Sequence, residues 1–229
     1  PEVKIDALIY MDLWDCPPHT RLGENTVVDI AMCTDTFRPY GRRDGGCVLG
    51  TEYEKNLRDY RTACPNVVAY EYYMGNYSNL QKLVPAADEM QSIFARMKEW
   101  GISGSGTQLE CFNHWNNLFN FYSFARTADD VKLSVEDNLG RFCRIFGEGA
   151  PMLREIITLC EDELEGQVPM NDAGTRVMEH ISKPRIYALF DAALAAAVEP
   201  RARNNIRMMR MAFRYSDLAV AENPPVEDN

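Results

Sequence analysis

The sequence is short of nearly every feature that marks a familiar site. Its seven cysteines, at 16, 33, 47, 64, 111, 143 and 160, form neither a CxxC pair nor a tight Cys/His cluster. That spacing excludes the common structural zinc sites. An odd number cannot close into a complete disulfide framework, although one or two bridges stay open. The simplest reading is buried free thiols, because free cysteine behaves as a small hydrophobe. Histidines are few, at 19, 114 and 180, and none belongs to an HExxH pattern. The reading therefore calls for no metal and no cofactor.

Basic charge is also scarce. The net charge of -10 argues against broad phosphate binding, which needs a basic surface to release counterions, so no nucleic acid is expected as a partner. No apolar run approaches the ~20 residues of a membrane-spanning helix. No secretory leader pattern is visible, since PEVKIDALIY opens directly in strand-like sequence. Such an abrupt start is expected of a fragment or a processed chain. The GxG at 104–106 lacks the rest of a dinucleotide fingerprint.

What is present alternates. VKIDALIY (3–10), TVVDIAMC (26–33) and NVVAYEYY (66–73) have the apolar content of buried strands, and ISGSGTQ is a weaker fourth. EYEKNLRDYRTA (52–63) and AADEMQSIFARMKEWG (86–101) show helical spacing, the second with Met90, Ile93, Phe94 and Met97 on one face and Gly101 at its end. Strands separated by long loops or helices indicate parallel β/α units, not hairpins. From about residue 114 the chain reads as helix throughout, with Pro151, Pro184 and Pro200 near helix starts. The organisation is thus an α/β region at 1–128 followed by a helical region at 129–229. Four strands cannot close an eight-stranded barrel. They form an open parallel sheet, or half of a barrel whose other half lies upstream.

In parallel β/α folds, functional residues collect at the C-terminal ends of the strands. Here those ends carry a repeated chemistry. The first leads to Asp12, Trp14, Asp15 and His19, and the second to Asp35, Arg38 and Tyr40. The third bears Glu71, Tyr72 and Tyr73, then Asn76 and Tyr77; the fourth leads to Gln108, Glu110, Asn113, His114 and Trp115. Aromatic faces stack on sugar C–H surfaces, while carboxylates, amides and Arg bind hydroxyls. Each residue also has a plain structural role open to it: Trp14 and Trp115 as core anchors, Asp35 as a turn or cap, the tyrosines as faces of a sheet. Glu110 and Glu71 are the leading carboxylates. One β/α unit apart, they fall on neighbouring strand ends, whose backbones lie ~5 Å apart. They can serve as a glycosidase acid pair, hold sugar hydroxyls, or stay hydrogen-bonded inside the fold.

The succession NTVVDIAMC, NVVAYEYYMGNY, a glycine-rich strand into ECFNHWNNLFNFYSFART, and then FCRIFGEGAPMLREI resembles a bacterial domain-of-unknown-function family, number 4838. The resemblance spans most of residues 1–165. It implies a TIM-type (β/α)8 barrel related to family-20 hexosaminidases and family-67 α-glucuronidases, of which this chain is the C-terminal half. It also implies a polysaccharide or oligosaccharide as partner, an extracellular or periplasmic setting, and the missing N-terminal half-barrel as a further partner in the full-length chain. On that basis Glu110 and Glu71 are the expected catalytic or sugar-holding carboxylates. Asp35, Tyr73, Asn113, Trp115 and Trp14 are the expected lining. Late-strand groups in the hexosaminidase-like relatives mainly bind sugar, so hydrolysis and simple binding both stand. A non-catalytic carbohydrate-binding or scaffold module is the alternative. A third reading, a helical interaction domain, rests on residues 131–222 and on Met208, Met209 and Met211.

Overall fold

The computed structural model describes residues 4–10, 15–31, 48–74, 85–109, 114–164, 178 and 181–222. Four strands, β1 (Ile5–Ile9), β2 (Thr26–Ala31), β3 (Val67–Met74) and β4 (Gly104–Leu109), form one sheet in the order β1-β2-β3-β4. Every neighbouring pair is parallel. Helix α1 (Val48–Ala63) lies between β2 and β3, α2 (Ala87–Glu99) between β3 and β4, and α3 (His114–Asp129) follows β4. The expected β/α succession is present, with boundaries moved by a few residues.

Alternation along the strands separates the two faces of the sheet. Val28 and Ile30 of β2 and Val67 and Ala69 of β3 are buried against Leu57 and Tyr60 of α1, Met90, Ile93, Phe94 and Met97 of α2, and Phe124 of α3. Residues 15–25, between β1 and β2, run over the same face, since Cys16 and Leu22 pack on this cluster and the Leu22 N–H donates to the Ala63 carbonyl. All three crossovers therefore share one side, as consecutive crossovers of one hand require. The alternate residues Leu8, Val27, Asp29, Val68 and Tyr70 stand on the other face, and none of them belongs to the cluster under the helices.

Three glycines of the β/α region illustrate the local logic. Gly101 takes φ 73 where α2 ends, and its carbonyl accepts from Arg61 Nε at 2.8 Å. That left-handed turn redirects the chain into β4. In β4 the run GSG replaces β-branched residues, yet the strand forms because β3 holds it along a full register from Val68↔Gly104 to Glu71↔Thr107. Tertiary pairing outweighs the weak local propensity.

The helical region continues with α4 (Val135–Cys143), a 3-10 turn (Arg144–Gly149), α5 (Ala150–Leu164), α6 (Lys183–Ala196) and α7 (Pro200–Glu222). Ser134 caps α4 by accepting the Asp137 N–H at 3.0 Å. A second core gathers Phe142, Phe146, Leu153, Ile156, Ile157, Phe190, Ile206 and Phe213. Helix α3 serves both cores, giving Phe119 to the helical one and Phe124 to the sheet. Glu163 accepts the Ser182 N–H at 2.7 Å and so links α5 to the start of α6.

Candidate functional site

The C-terminal strand ends are the natural place for a site in this topology. Of the expected residues, Trp14, Asp35, Glu110 and Asn113 lie outside the described residues. Glu110 directly follows Leu109, the last residue of β4. The remaining three are placed by the structure, and two of them differ from the expectation.

Tyr73 is only 4% exposed, and its ring packs edge-on against Phe94 and tilted against Phe124, with centroids 6.1 Å away in both cases. It is a core aromatic, not a stacking platform for a sugar. Its packing puts Tyr73 in the same cluster as Val67 and Ala69, on the face the helices cover. Glu71 follows the alternation of Val67 and Ala69 and is also 4% exposed. Its carboxylate therefore sits on the helix-covered side of the sheet, away from the open face. Trp115, in the first turn of α3, is half-buried and packs against the helical core.

Three amides of α3 that sequence reading passed over prove central. Asn116, Asn117 and Asn120 are each at most 4% exposed. Asn116 Nδ2 donates to Ser216 Oγ at 2.7 Å and to the Ala212 carbonyl at 3.2 Å, tying α3 to α7. Asn120 ties α3 to the end of β3 and the start of α2. The NN…N spacing inside an otherwise apolar helix was the available signal, since buried amides need fixed partners.

The open face of the sheet carries the most distinctive chemistry among the described residues. The register Asp6↔Val27 and Leu8↔Asp29 makes Asp6 and Asp29 diagonal neighbours on it. Burial, and after it the Asp6 carboxylate, pushes Asp29 above the ordinary carboxylate value. Asp29 Oδ1 is buried without a hydrogen-bond partner among the described residues. Beside them, Gly106 on β4 leaves the flank of the Tyr70 ring open: a methyl group there would stand 3.5 Å from Tyr70 Cδ2. A carboxylate at an alternating position in each of two apolar strands, IDALI and TVVDIA, was the sequence signal for this pair.

A cleft of about 280 Å³ lies elsewhere, between α2 and the end of α3. Phe94, Met97, Ile102 and Val131 form its apolar wall, with Lys98 and Asp129 at its polar side. It adjoins the N-terminal end of β4, opposite to the strand ends that carry the expected site, so we assign it no part in that site. Comparison with protein-family models, with characterised proteins and with solved structures yields no match to this chain.

Proposed function

We propose that this chain is a half-barrel wall of a carbohydrate-active protein, one that hydrolyses or binds a glycan at the C-terminal rim of its sheet. A single observation carries the reading. Four parallel strands run in sequential order with their crossovers on one face, and Leu8, Asp29 and Tyr70 stand on the other, outside the cluster under the helices. All-parallel sheets occur with both faces covered, and a sequentially ordered sheet meets that need by curling into a barrel, so that its free face becomes the interior.

In this reading the open face is the lumen and the loops after β1, β2 and β4 form the rim, with Trp14, Asp35, Glu110 and Asn113 in those loops. Glu110 takes the leading role as acid, nucleophile or hydroxyl-holding carboxylate. Glu71 is given none, because it belongs to the helix-covered face. The burial of both Glu71 and Tyr73 favours, as a second reading, a module that binds glycan without cleaving it.

The test is a panel of oligosaccharides offered to wild type and to Glu110→Gln, with reducing-end release and calorimetric binding measured together. Hydrolysis lost with binding retained supports the catalytic form. Binding without hydrolysis by wild type selects the module. Absence of both removes the glycan reading.

A further inference from the structure

Helix α7 is apolar on two sides. One side carries Ala202, Ile206, Met209 and Phe213, all at most 1% exposed in the helical core. The other carries Met211, Tyr215 and Leu218, exposed at 63%, 56% and 50%. Their spacing of four and then three residues makes a single stripe along two turns. The buried side is held in register by Asn116, which donates to the Ala212 carbonyl and to Ser216. The helix therefore cannot roll to hide the stripe. Isolated exposed hydrophobics are ordinary on a surface; an aligned set on one helix is what a binding face shows.

The charge around the stripe selects its occupant. Five arginines and no lysine stand on α7, against Asp217 and Glu222, in a chain whose net charge is -10. Arg207 and Arg214 flank Met211 and are exposed, with no ion pair among the described residues. The nearby carboxylate, Asp217, is already engaged by Lys183 at 2.7 Å and by the Tyr187 hydroxyl at 3.0 Å. Among the described residues, the stripe is thus apolar and bordered by the exposed cations Arg207 and Arg214. Met, Tyr and Arg are the residues enriched at protein interfaces, whereas Lys is depleted there.

We propose that the outer face of α7 docks an acidic, amphipathic protein helix, with Met211, Tyr215 and Leu218 receiving its apolar ridge and Arg207 and Arg214 receiving its carboxylates. A second copy in face-to-face contact would set arginine against arginine, which like-charge repulsion opposes. An anionic bilayer would repel a chain of this net charge at every other surface. The proposal does not depend on the glycan reading.

The test uses the whole chain and a labelled synthetic helix with leucines at i, i+3, i+4 and i+7 flanked by glutamates, followed by fluorescence anisotropy. Binding should weaken about tenfold between low and high salt, because the flanking pairs are solvent-screened. It should also weaken tenfold or more in Met211→Glu/Leu218→Glu and in Arg207→Glu/Arg214→Glu. All these positions face solvent, and unchanged thermal unfolding of each variant shows that the fold persists. Equal binding of a glutamine-substituted peptide, or equal binding by the variants, overturns the proposal. So does concentration-dependent self-association through the same residues, or capture by anionic vesicles without peptide binding.

Discussion

Asn120 grips the end of the strand that bears Tyr73. Its Nδ2 donates to the Tyr73 carbonyl and its Oδ1 accepts the Ala86 N–H, each at 2.9 Å. One side chain on α3 thereby closes the gap between the end of β3 and the N-cap residue of α2. Replacing Asn120 by Ala leaves two buried backbone groups without that partner, and the expected loss is about 2–4 kcal/mol of folding stability in urea titration. Asn120→Asp keeps the acceptor but sets a carboxylate against the Tyr73 carbonyl, so it should not restore wild-type stability. A loss below ~0.5 kcal/mol in both variants would show that the bridge is dispensable.

The Asp29 carboxyl gives stability a pH dependence of definite sign. Its folded-state affinity for protons is raised, by burial and then by Asp6, so the folded chain binds more protons than the unfolded chain above the usual carboxylate range. Stability should therefore fall as pH rises through that raised value, where Asp29 must ionise in place. Asn at position 29 removes the ionisation. The urea midpoint of Asp29→Asn should be flatter with pH over this window and higher than wild type at neutral pH.

Gly149 sits where the 3-10 turn meets α6 and α7. A Cβ there would approach Ile206 Cδ1 to 2.6 Å and the Ala193 carbonyl to 3.1 Å. Gly149→Ala should cost about 1–3 kcal/mol through overpacking. Ile206→Val removes the closest methyl, so the double variant should lose less than the sum of the two single losses. Additive losses would place the strain elsewhere.

Backbone direction in β1 yields a paired prediction. The Ile5 N–H bonds to the Asn25 carbonyl at 2.8 Å, so alternate residues Ile5, Ala7 and Ile9 turn their backbone groups to β2. Asp6 and Leu8 turn theirs to the outer edge. Ala7→Pro should cost about 3 kcal/mol or more, whereas Leu8→Pro should be far milder. Thermal unfolding of the two variants side by side checks the assignment, and equal losses would reject it.

The thiols should separate sharply. Burial pushes Cys143 up to about 12, and burial with Glu163 raises Cys160 further. Cys16 is only partly covered, although burial and then Asp59 raise it as well. Iodoacetamide at pH 8 should alkylate Cys16 in the native chain and reach Cys143 and Cys160 only on unfolding. Mass spectrometry showing Cys160 modified as fast as Cys16 would contradict this.

The chain's own residue order determined the element succession. Apolar runs bounded by turn residues specified three strands, the glycine-rich fourth being held by its pairing with β3, and helical spacing such as Met90, Ile93, Phe94 and Met97 specified α2 together with its buried face. Those are local patterns, and local periodicity suffices to read them. The facing of Glu71 and Tyr73 was not legible in the same way. YEYYM puts tyrosine at both odd and even positions, so pattern alone does not choose a face until α2 and α3 settle on one of them. The buried amides of α3 and the pairing of Asp6 with Asp29 likewise depend on partners far along the chain. Sequence alone determined what each segment is. Only tertiary packing decided which side of each segment meets the core, because that choice rests on contacts between elements that no single stretch contains.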